Sequence, residues 1–83
     1  MGIEDLKDIF RGLRESSLKA TLQPGEFTFK VDPSDGTFLG SIVNLNGTIY
    51  ETHNAGDGIG AAVRRNAENL GMKFVPANKV LPK

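Results

Sequence analysis

Apolar positions change their spacing along the chain, and each change marks a predicted element. Over about 3–18, Ile3, Leu6, Ile9, Phe10 and Leu13 recur at three- and four-residue intervals, with Leu18 at the margin, which predicts an amphipathic helix. Glu4 and Asp5 in its first turn and Arg11 and Arg14 further on suit the helix dipole, Gly12 is a mild cost, and Gln23-Pro24-Gly25 is a turn signal beyond its end. From Glu26 the period drops to two. Phe27, Phe29 and Val31 alternate with Glu26, Thr28 and Lys30, so a strand over about 26–31 follows, the clearest in the chain.

Asp32-Pro33-Ser34-Asp35-Gly36 has the residues of a tight turn, Pro presetting φ and Gly supplying a positive one. A second strand over about 37–44 carries Phe38, Leu39, Ile42 and Val43, and Asn46-Gly47 is a strong hairpin signal returning the chain into a third strand over about 48–53. A three-residue loop, Leu45 to Gly47, would put Leu39, Val43 and Ile49 on one inner face; a two-residue loop would pair Val43 with Tyr50. The coherence of that inner face favours the longer loop. A second helix over about 57–70 is marked by Ile59, Ala62 or Val63, Asn66 or Ala67, and Leu70, with Gly71 as its C-terminal cap. The tail, 72–83, leaves open a short strand from Met72 to Val75. The order predicts an α+β fold in one domain, 1–83: a three-stranded antiparallel sheet with two helices packed on one face.

Composition narrows the class. Apolar residues at 39% and charged residues at 24% are ordinary for a globular chain of 83 residues. The lack of cysteine excludes a disulfide framework, a thiol nucleophile and thiolate metal sites, and favours a reducing compartment. With no apolar run of membrane-spanning length and no visible signal peptide, the expectation is a soluble cytoplasmic protein with no membrane partner. Formal net charge is zero, yet Glu26, Asp32, Asp35, Glu51 and Asp57 face only Lys30 in the middle of the chain, whereas Arg64, Arg65, Lys73, Lys79 and Lys83 face only Glu68 after it. The C-terminal third is therefore a candidate basic face.

Four groups of residues bear on chemistry. Gly56-Asp57-Gly58-Ile59-Gly60 precedes a helix as phosphate loops do, but its spacing is that of neither a P-loop nor a dinucleotide fingerprint, and Asp57 opposes an anion. His53, the single histidine, follows a strand near Glu51 and Asp57, with no Ser or Cys nucleophile assignable to it. Asp32 and Asp35 lie in a turn that lacks the later ligands of a calcium loop. Arg64, Arg65 and Lys73 form the basic cluster, able to meet nucleic-acid phosphates or an acidic partner, although neighbouring Arg64 and Arg65 diverge by roughly 100° on a helix. No residue pattern calls for a catalytic centre, a cofactor, a metal or a small-molecule substrate.

The helix–strand–strand–strand–helix order, with Phe38, Ile42, Gly47, Gly56, Gly58, Ala67 and Leu70 echoing its layout over roughly 3–72, resembles the double-stranded-RNA-binding domain. That resemblance implies an RNA-binding module. The chain departs from it where Ala61 and Ala62 stand near the family's phosphate-gripping lysines, where Arg64-Arg65 come a turn late, and where Asp32 and Asp35 occupy the first hairpin. The Gly-Ser-His-His of the HicA toxins, RNA-cleaving relatives of that fold, is missing. Ala55-Gly56-Asp57-Gly58 feeding an Ala-containing helix, and the Asn78-Lys79-Val80-Leu81 ending, look like small phage inhibitors of the anti-CRISPR kind. Together these point to a non-enzymatic binding protein that occupies a protein or ribonucleoprotein surface, with RNA binding as the alternative. Tyr50, Ile42 and Phe38, or the Asp32/Asp35 turn, are the expected anchors, Tyr50 and Ile42 lying exposed side by side.

Overall fold

The computed structural model describes residues 9–10, 12–53 and 59–81. Within them the chain forms β1 (Arg14–Glu15), β2 (Glu26–Val31), β3 (Phe38–Leu45), β4 (Thr48–Glu51), α1 (Ile59–Asn69), β5 (Lys73–Phe74) and α2 (Ala77–Val80). The five strands make one mixed sheet in the order β1-β4-β3-β2-β5, antiparallel throughout except for the parallel pairing of β5 with β2. The expected three-stranded antiparallel sheet with two helices on one face is therefore not the fold. Both edges gain a two-residue strand, and helical structure among the described residues is confined to α1 and the single-turn α2.

The first departure lies in the predicted N-terminal helix. Its residues 3–8 and Arg11 lie outside the described residues, but Arg14–Glu15 form a strand and Ser16 to Leu18 are not helical. Gly12 adopts φ 72, a conformation that ends right-handed helix, and Arg14 and Glu15 then pair with Glu51 and Tyr50. Local periodicity favoured a helix there; the unpaired edge of β4 offered backbone hydrogen bonds that a helix could not supply.

The second departure concerns the faces of the sheet. Both are buried. On the first, Phe10, Phe27, Val43, Ala67 and Met72 form a core, with α1 laid across it. Phe27 and Phe29 contact Phe74 edge-on or tilted, and Phe29 contacts Phe38 edge-on at 5.0 Å between ring centres. On the second, Leu22, Ile42 and Val80 form a smaller core, supplied by α2 and by the chain running from Ser16 to Leu22. That run is tied down by Ser16 N–H to the Ile49 carbonyl, Thr21 N–H to the Val80 carbonyl, and the buried Asn44 amide donating to the Leu22 carbonyl at 2.7 Å.

Turn chemistry sets the register. Asn46 and Gly47 both take positive φ, 55 and 93, so Asn44–Leu45 return as Thr48–Ile49 through a two-residue turn whose twist matches the strands. Val43 consequently pairs with Tyr50, and the expected three-residue loop is corrected. Leu39, assigned to the inner face, is 39% exposed. Gln23-Pro24-Gly25-Glu26 closes with Glu26 N–H on the Gln23 carbonyl, and Gly25 has φ 88. At the end of α1, Gly71 at φ 90 donates to Glu68 and Met72 donates to Ala67, a Schellman cap that swings buried Met72 into the first core.

Candidate docking face

The second face of the sheet is only partly covered, and its open part carries the chemistry. Period two along β2 and β4 brings Lys30 and Glu51 onto this face, with His53 two residues beyond Glu51. The Lys30 ammonium is 3.0 Å from His53 Nδ1 and 3.6 Å from Glu51 Oε2. His53 Nε2 lies 3.6 Å from Glu51 Oε1, and Arg14 Nε approaches the same oxygen at 3.8 Å from β1. An ammonium only donates, so Nδ1 is the acceptor, and a neutral His53 ring carries its proton on Nε2, toward Glu51. Lys30 and Glu51 are largely withdrawn from solvent, with side chains 17% and 15% exposed. The group is a polar clasp across β2, β4 and β1. Directly opposite Lys30, Gly40 is buried at φ 148, and any Cβ there would collide with the Thr52 carbonyl oxygen and crowd the Lys30 Cε. Gly40 thus leaves the room in which the Lys30 stem crosses the sheet.

Beside the clasp lies an apolar trough. One part, about 300 Å³, is bounded by Leu18, Val31, Ile42, Ala77 and Leu81, with Lys30 on its wall. The adjoining part, about 550 Å³, shares Leu18 and Leu81 and adds Ile49, Val80, Lys19 and Lys79. Leu18 and Val31 are 42% and 49% exposed, large apolar side chains facing water on the rim of one groove. Among the described residues lining either part, the charged ones are lysines and none is acidic.

The residues singled out from the sequence are distributed differently. Ile42 is completely buried in the second core, and Tyr50 is half-buried against the first, so the two point to opposite faces and are not an exposed pair. Phe38 is half-buried against Phe29, and the ring also meets Gly60, where close approach of α1 explains the last glycine of the glycine run. Gly56, Asp57 and Gly58 lie outside the described residues, as does Lys83. Asp32 and Asp35 organise their turn. Asp32 accepts from the Ser34 hydroxyl and amide at 2.6 and 2.9 Å, and Asp35 accepts from the Thr37 amide at 2.9 Å. The Ser34 hydroxyl and then its amide hold the Asp32 carboxyl below its ordinary range; the Thr37 side chain and then its amide do so for Asp35.

Arg64 lies with its guanidinium carbon 4.3 Å from the centre of the Phe74 ring and Nε 3.5 Å from Glu68. Arg65 is exposed on α1. Lys73 neighbours Phe74 on β5, and because successive strand residues point to opposite faces, it projects away from the side that Arg64 covers. Arg64 and Lys73 are thus not gathered on one surface.

The clasp is hard to see in the sequence because His53 has Glu51 and Asp57 as its sequence neighbours, while its partner Lys30 is twenty-three residues away. The available signal was Glu51 and His53 at strand spacing with Lys30 on the polar side of the neighbouring hairpin. Leu18, read as the end of a helical stripe, carried no hint of a groove. Among the described residues no group of three or more His, Asp or Glu side chains is placed to hold a metal ion, and no helix is long and apolar enough to cross a membrane. No protein-family model matches the chain, and neither a curated protein nor a solved structure matches it significantly.

Proposed function

We propose that this chain is a non-enzymatic binding protein that acts in the cytoplasm by occupying the surface of a protein or ribonucleoprotein, in the manner of a small inhibitor or accessory factor. The observation that carries this reading is the trough on the second sheet face, where Leu18 and Val31 stand exposed on the rim of an apolar groove. Exposed apolar side chains gathered around one concavity mark surfaces that associate. Zero net charge, with Arg64 engaged by Phe74 and Glu68, favours a protein surface over bare nucleic-acid phosphates. The absence of cysteine fits a reducing cytoplasm.

The test is affinity capture from cytoplasmic extract with the intact chain, with and without ribonuclease, beside the Leu18→Asp variant and the Arg64→Ala/Arg65→Ala variant. A captured protein lost with Leu18→Asp and retained with the arginine variant supports the reading. Fluorescence anisotropy with labelled duplex RNA, duplex DNA and single strands supplies the counter-test. Micromolar binding that falls steeply with salt and vanishes in the arginine variant, with no protein captured through Leu18, would overturn it in favour of nucleic-acid binding.

A further inference from the structure

We infer that the trough takes a linear acidic segment of a partner protein, one in which Asp or Glu residues flank Leu, Ile, Phe or Met anchors. This rests on the protein-surface reading above and names the chemistry of the partner. Leu18 and Leu81 line both parts of the trough, so its apolar floor continues from Val31 toward Ile49. Such a floor selects apolar side chains, and its open side suits a length of chain rather than an enclosed small molecule.

Charge supplies the second half of the argument. Lys19 and Lys79 stand exposed on the walls of the larger part, Lys30 on the wall of the smaller, and the described lining residues offer no carboxylate. Lys30 is engaged with Glu51 and His53, so its contribution is the stem. Lys19 and Lys79 are the cations that meet the partner. Both line the larger part beside its apolar residues, which calls for carboxylates next to the partner's apolar anchors. A basic or uncharged segment with the same apolar residues would meet the lysines with like charge or with none.

The experiment is selection of a random twelve-residue peptide library on the intact chain, followed by anisotropy with the enriched peptides. Enrichment of net-acidic sequences carrying Leu, Ile, Phe or Met is expected. Their binding should weaken about tenfold or more in the Lys19→Glu/Lys79→Glu variant, whose exposed substitutions leave the thermal midpoint near that of the parent, and should weaken as salt is raised. Leu18→Asp should abolish it. Enrichment of neutral or basic sequences, no enrichment, or binding indifferent to the two lysines overturns the inference. So does co-sedimentation with phosphatidylserine vesicles in the absence of peptide binding, which would assign the trough to a lipid surface. The broader reading fails separately, when extract yields no protein whose capture depends on Leu18.

Discussion

Ile42 and Val43 are consecutive on β3, both are 0% exposed, and they belong to cores on opposite faces of the same sheet. A strand sends neighbouring side chains to opposite sides, so two adjacent fully buried apolar residues require cover on both faces. α1 and the Phe10 region cover one; α2 and the chain from Ser16 to Leu22 cover the other.

Ile42 is thus a core residue of the second face. Ile42→Ala should destabilise the fold by about 2–5 kcal/mol, the usual cost of emptying a buried aliphatic site. Urea denaturation measures it, and a loss below about 1 kcal/mol would mean that the second face holds no true core.

Gly40→Ala should be among the most damaging small substitutions in the chain. A Cβ would strike the backbone carbonyl of Thr52, and φ 148 is a conformation that side-chain-bearing residues rarely adopt. Loss of cooperative unfolding, or of about 3 kcal/mol or more, is expected from steric collision and backbone strain together. A variant with an unchanged thermal midpoint would show that β3 and β4 lie further apart here.

Thr28 offers the opposite sign. Its Oγ1 is buried on the second face with no hydrogen-bond partner among the described residues. Thr28→Val keeps the shape and removes an unpaired hydroxyl, so a gain of about 1 kcal/mol or more in stability is expected. Destabilisation would reveal that the hydroxyl is satisfied by water.

Asp32 and Asp35 should titrate below the ordinary aspartate value of about 3.9. A lowered folded value means that their contribution to stability is complete above the unfolded value and is lost as pH falls through the folded one. Carboxyl-carbon NMR shifts followed down to about pH 2 give both midpoints. Ser34→Ala should raise that of Asp32 toward the ordinary range and leave that of Asp35 in place; a parent Asp32 midpoint already at the ordinary value would show that the turn is not formed.

What was legible in the sequence was local. The strand from Glu26 to Val31, Asn46-Gly47 as a hairpin turn, and Gly71 as a helix cap are each decided by a few adjacent residues, and each is found in the structure, although a register shift between Lys30 and Val31 interrupts the alternation and leaves Val31 exposed. Adjacent Ile42 and Val43 also signal a two-faced sheet, a signal that competes in the sequence with one coherent inner face of Leu39, Val43 and Ile49. The site was far less legible, because Lys30 meets Glu51 and His53 from a strand remote in sequence, and the trough joins Leu18, Val31 and Leu81 from separate segments.

By itself the sequence determined the turns, the central hairpins, the zero net charge and the absence of thiol chemistry, all properties of residues and their immediate neighbours. Only the tertiary structure decided the rest. Arg14-Glu15 became an edge strand, and Lys73-Phe74 a parallel one, because backbone donors and acceptors at the edges of β4 and β2 found partners remote in sequence. Leu18 became exposed and Ile42 buried for the same reason: burial belongs to the assembled sheet, where the covering segment is chosen by shape and hydrogen bonding across the whole chain, and no local period records that choice.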